Sequence, residues 1–124
     1  MLRKILYPTD LSFLSQKGLA WTVRNVAKKE SHIIVLHVVN TVAGLNTPTL
    51  VQEAESQMKL FGEELEKLGQ PHSTVTLAGD ETETIAEIAH GEKCSLSVLV
   101  IDPEDDVLDL IRQVALPQVL VKST

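Results

Sequence analysis

The segment that most constrains this chain is Ile33 to Val39, IIVLHVV, an almost unbroken apolar run without the in-and-out alternation of a strand that has one wet face. Such a run predicts a central strand covered on both sides. That is the mark of a parallel sheet between helical layers, and each parallel step needs a crossover long enough for a helix.

The flanking sequence supplies those elements. Arg3 to Tyr7 reads as a first strand closed by Pro8. Asp10 or Ser12 can cap the helix that follows, with Leu19, Ala20, Val23, Val26 and Ala27 as its buried face. Thr41 to Thr49 reads as a loop, with Thr47 as a helix cap and Pro48 in the first turn. Val51, Ala54, Met58, Phe61, Leu65 and Leu68 then mark an amphipathic helix that Gly69 ends. Val75 to Ala78 alternates with threonines, as expected of a half-covered strand near a sheet edge. Asp80 or Thr82 caps a short helix carrying Ile85, Ile88 and Ala89, which Gly91 ends. Val98 to Ile101 is a buried strand; Val107, Leu108, Leu110, Ile111 and Val114 predict a last helix, and Val119 to Val121 a last strand. The order β-α-β-α-β-α-β-α-β implies one domain over 1–124, a doubly wound parallel sheet with right-handed crossovers. No repeat, low-complexity tract or linker interrupts it.

Composition narrows the function. With 44% apolar and 23% charged residues the chain has the make-up of an ordinary globular protein. No apolar run approaches the roughly 20 residues of a membrane span, and MLRKILYPTDLS lacks the apolar stretch of a secretory leader, so a cytoplasmic protein is expected. Cys94 is the only cysteine, which suits a reducing compartment and a buried, inert thiol. A net charge of -6 argues against nucleic acid as a partner, since phosphate binding depends on Lys and Arg. The charge is unevenly spread: residues 1–30 hold six Lys or Arg and two acids, the remainder five and fifteen.

Few residues carry chemistry. His32, His37, His72 and His90 lack metal-ligand spacing and fall on separate elements; His37, inside an apolar strand, reads as a satisfied core histidine. Ser12 and Ser15 follow Asp10 without a GxSxG elbow, so nucleophilic catalysis has little support and no enzyme activity is expected. Lys17, Trp21, Arg24 and Lys28 recur at four, three and four residues and form the candidate partner surface, against the favoured simpler reading that basic stems cover the indole on a solvated face. A signalling receiver fits poorly: Asp10, Asp80, Asp102 and Lys122 follow or end strands, but paired acids after the first strand are missing, and STVTLAGD is too polar for a receiver's third strand.

LVIDPEDD, Leu99 to Asp106, closes the fourth strand with a proline and four acids. Many α/β domains hold phosphates at such strand ends with glycines and backbone N–H groups. Here the favoured expectation is Asp102 as cap of the predicted last helix, Pro103 at its first position, and Glu104, Asp105 and Asp106 in the first turn, where carboxylates suit the positive end of a helix dipole. A metal site at these acids is the less favoured reading.

ILYPTDLS, VLHVV, LAGDETETIAEIA, LSVLVI and PQVLV, in that order, resemble the universal stress protein family over nearly the whole chain. The resemblance implies a three-layer α/β/α fold of the adenine nucleotide alpha hydrolase-like kind, with five parallel strands in the order 3-2-1-4-5. It also implies a homodimer through the last strand, at Val119, Leu120 and Val121, whose edge would otherwise stay open. ATP-binding members look alike after the fourth strand, where glycines form a nest of N–H groups around the phosphates. This chain has no glycine between Ile101 and Gln118, and Asp102 stands where the first small residue is expected. The branch expected is therefore one without the ATP loop: a non-catalytic stress-response or regulatory dimer with no cofactor. If a nucleotide does bind, the resemblance places Asp10 at the ribose or a metal ion, Val38 or Val39 against adenine, and Asp102 at the phosphate end.

Overall fold

The computed structural model describes residues 3–41, 47–101 and 116–122. In chain order the elements are β1 (Lys4–Pro8), α1 (Phe13–Asn25), β2 (His32–Val39), α2 (Thr47–Lys67), β3 (His72–Ala78), α3 (Glu81–Gly91), β4 (Leu96–Ile101) and β5 (Gln118–Lys122). The strands form one sheet in the order β3-β2-β1-β4-β5, every pair parallel. This is the expected doubly wound order, and it differs from the 2-1-3-4-5 order of receivers. The expected last helix and the acids Asp102, Glu104, Asp105 and Asp106 lie outside the described residues, as does most of the expected loop before α2.

β2 is an interior strand because its run is apolar on both faces: Ile33 and Val35 join Leu19 of α1 and Met58, Phe61 and Leu65 of α2 in one core cluster, and Ile34, Leu36 and Val38 join Ile85 and Ala89 of α3 in the other. β3, with its threonines, lies at one sheet end and is only partly covered. β5 lies at the other end, pairing with β4 from Ser97↔Gln118 to Ile101↔Lys122.

The helices correct several expectations. α1 buries Ser15, Gly18, Leu19 and Thr22, so its contact face is small and polar; Val23, Val26 and Ala27 only lean against the core, and Val26 is already the C-cap. The reason is close approach. A methyl group at Gly18 would collide with Val100 Cγ2 and stand 2.6 Å from Tyr7 Oη. α2 buries Ala54, Met58, Phe61 and Leu65 as its spacing predicts, but it begins with Thr47 inside the helix, and Leu68 is exposed beyond its end.

Both later helices end alike. Gly69 at φ 68° has its N–H on Glu66 O while Gln70 N–H reaches Leu65 O, the paired bonds of a Schellman motif. Gly91, expected to end α3, is its last helical residue; Lys93, at φ 54°, takes the left-handed place, with its N–H on His90 O and that of Cys94 on Ala89 O.

Candidate functional site

The strand order reverses between β1 and β4, and the crevice at the carboxyl ends flanking such a reversal is where doubly wound folds hold ligands. A cleft of about 450 Å³ opens there. β1 and its exit supply Pro8, Thr9 and Asp10; β2 supplies Leu36, His37, Val38 and then Asn40; β4 supplies Leu99, Val100 and Ile101; Ser15 comes from α1, Glu81 and Ile85 from α3.

The turn from β1 into α1 is fixed by its own hydrogen bonds. Thr9 N–H donates to Leu36 O at 2.8 Å, tying the turn to β2. Thr9 Oγ1 accepts from Leu11 N–H at 3.0 Å and is hydrogen-bonded to Ser15 Oγ at 2.5 Å, one hydroxyl donating to the other. Asp10 Oδ1 accepts from Ser12 N–H, and Ser12 Oγ caps α1 by accepting from Ser15 N–H. Ser12 is therefore the cap, and Asp10 braces the residue that caps. Leu11 sits at φ 68°, a conformation that costs a non-glycine residue about 1–2 kcal/mol and is held here by the surrounding bonds. Beneath the turn, buried Tyr7 donates from Oη to Ser15 O at 2.6 Å; its burial pushes the hydroxyl well above the usual tyrosine range, so it stays a donor.

His37 Nδ1–H donates to Thr9 O at 2.8 Å. The expectation of a satisfied histidine holds for one ring nitrogen, but the ring lines the cleft rather than the core. The other described histidine bonds involve no residue of the cleft: His32 Nε2 pairs with Ser73 Oγ at 3.0 Å across β2 and β3, and His72 Nδ1–H donates to Gln70 O at 2.8 Å. Cys94 is buried, and burial pushes its thiol up, as an inert thiol requires.

Of the residues assigned to a nucleotide, Asp10 and Val38 line the cleft; Val39, one strand position on, does not, and Asn40 takes that place in the wall. Asp102 lies outside the described residues. Asn40, Glu81 and Thr9 are the wall residues that sequence reading missed; the signal was their position at strand exits and a helix start. Among the described walls the formal charges are Asp10 and Glu81, with no Lys or Arg.

The basic stripe is shorter than expected. Lys17, Trp21 and Arg24 are exposed on α1, but Lys28 lies past its end, where its N–H donates to Ser31 Oγ. Lys17 Nζ stands 4.9 Å from the centre of the Phe13 ring, not over the indole. Among the described residues no three His, Cys, Asp or Glu side chains gather to hold a metal, and no helix is long and apolar enough to cross a membrane.

A sequence model of the universal stress protein family matches residues 1–113. Universal stress protein MJ0577 of Methanocaldococcus jannaschii is 28% identical over 123 residues, covering 80% of this chain and 76% of that one. The solved MJ0577 structure shares the fold at a TM-score of 0.85, with 24% identity over 100% of this chain and 98% of that one. A universal stress protein of Archaeoglobus fulgidus in complex with dAMP shares it at 0.79, with 14% identity over 98% of each chain. An Arabidopsis thaliana universal stress protein family protein with AMP bound shares it at 0.78, with 13% identity over 98% of this chain and 92% of that one. With its strand order, its switch-point cleft and a family match across nearly its whole length, the chain belongs to the universal stress protein family.

Proposed function

We propose that this protein is a non-catalytic, regulatory universal stress protein of the cytoplasm, a homodimer joined through β5, whose cleft does not take ATP in the usual way. The observation that carries this reading is the charge of the cleft. Its described walls bear Asp10 and Glu81 and no cation, and the chain leaving it after Ile101 runs through Asp102, Glu104, Asp105 and Asp106 with no glycine before Gln118. A triphosphate needs converging N–H groups or cations, and against carboxylates it is repelled.

Two further features support the reading. Ser15 is buried with its hydroxyl engaged by Thr9, and the described His37 bond goes to a backbone carbonyl, so no nucleophile and base are paired among the described residues of the cleft. β5 ends the sheet with Leu120 46% exposed between Val119 and Val121, and pairing with a second copy would cover that edge.

Calorimetric titration with ATP and AMP, with and without magnesium, tests the cleft. Micromolar ATP binding by the wild-type protein overturns the reading; no binding by wild type and a gain on Asp102→Gly supports it. A second reading, an adenine-nucleotide-binding switch, is favoured by the cleft's position and by Asp10 and Val38 in its walls, since relatives of the same fold are described with AMP and dAMP. Nucleotide co-purifying with the protein would establish it. A substrate-dependent rate abolished by Asp10→Ala would instead make the protein an enzyme.

A further inference from the structure

β5 is too short to hold a dimer by itself. It has five residues, whereas a stable interface takes about 20–30 from each partner, so surface beside the edge must take part. On one face of the sheet that surface is α1. Gly18 of α1 stands against Val100 of β4, whose register partner on β5 is Val121. Leu14, Gly18 and Trp21 follow one another at four and three residues and share one stripe of the helix, while Gln16 and Ala20, on the other flank, line the groove toward α2. The stripe that meets β4 through its glycine therefore presents Leu14 and Trp21, each 39% exposed, on the side of β5. Below them β5 offers Val119 and Val121, half-buried and packed against the core cluster on the same face of the sheet. An apolar strip thus leads from α1 across β5 to the open strand edge.

We propose that this strip is the other half of the dimer contact, with Leu14 and Trp21 of each copy facing those of the second copy above Val119 and Val121. The contact rests on the β5 pairing proposed above and adds the residues that give it affinity. α1 stands over β1 and β4, so pairing β5 with β5 leaves the two α1 axes roughly 19 Å apart at about 4.8 Å per strand. Helices in direct contact lie about 8–10 Å apart, and two facing layers of large side chains fill the difference. A two-fold axis brings the patch against itself and closes the pair. Charge does not drive the contact, since α1 carries Lys17 and Arg24 without an acid and a second copy brings the same cations. The strand edge sets register, and the buried indole is the anchor.

Trp21 is the only tryptophan, so the fluorescence of the wild-type chain reports this contact without a label. Sedimentation velocity and tryptophan emission are followed over one dilution series up to tens of micromolar, with folding of each variant checked by far-ultraviolet circular dichroism. As dimer forms, the emission moves to the blue and acrylamide quenches it less, both with the midpoint seen in sedimentation. Trp21→Ser raises the dissociation constant about tenfold or more, Leu14→Ser less, and Leu120→Lys, on the opposite face of β5, dissociates the dimer through the strand. A dimer that Leu120→Lys dissociates, but whose Trp21 emission and quenching stay constant through the transition and whose affinity Trp21→Ser leaves unchanged, overturns the proposal and leaves the β5 pairing standing. A chain monomeric at every concentration overturns both.

Discussion

α1 and α2 lie side by side on one face of the sheet and are held to it by opposite means. α2 packs Ala54, Met58, Phe61 and Leu65 into the core, an apolar stripe at helical spacing. α1 packs Ser15, Gly18, Leu19 and Thr22, of which only Leu19 is a large hydrophobe. What α1 lacks in area it gains in proximity: Gly18 lets its backbone close on Val100 and Tyr7, Tyr7 Oη reaches Ser15 O, and Thr22 Oγ1 is satisfied by Gly18 O at 2.8 Å. The difference matters for the cleft, because the start of α1 is one of its walls. The glycine contact and the buried hydroxyl fix the height of α1 above the sheet.

The contrast can be broken at either helix. The largest effect is expected in α2, where Leu65→Ala leaves a cavity in the core and costs about 2–5 kcal/mol by urea unfolding. In α1 the sign of the volume change reverses: Gly18→Ala adds a methyl group where there is no room and costs about 1–3 kcal/mol, despite the better helix propensity of alanine. Tyr7→Phe removes the bond that holds Ser15 O and costs about 1 kcal/mol, with backbone amide exchange rising first in the β1–α1 turn. The smallest effect sharpens the comparison most. Gly62 of α2 faces only Thr74 Cγ2 at 3.6 Å and His72 Nε2 at 3.8 Å, so Gly62→Ala should stabilise by up to about 1 kcal/mol. Equal losses at Gly18 and Gly62 would mean that the two helices are held in the same way.

What could be read from the sequence follows the same division. The β2 run, the α2 stripe and the Gly69 stop were legible because each is a local pattern with one physical meaning. The α1 face was misread because periodicity weighs apolar residues, and Ser15, Gly18 and Thr22 pack by fit and hydrogen bonding. Gly91 does end α3 as its last helical residue, but the left-handed turn after it falls to Lys93, whose N–H and that of Cys94 are satisfied, a placement that glycine position alone does not show. At the cleft, Asp10 and Val38 were named from the family resemblance, whereas Asn40 and Glu81 come together only when β2 and α3 are placed beside β1.

The alternation of apolar strands with amphipathic helices, the lone cysteine and the acids after Ile101 are properties of the chain itself, since hydrophobic period and charge are local. Which nitrogen of His37 is engaged, how near α1 comes to the sheet, and the absence of Lys and Arg from the described walls of the cleft were decided by the tertiary structure. The physical reason is distance: those properties depend on atoms far apart in sequence that meet only once the five strands are in register.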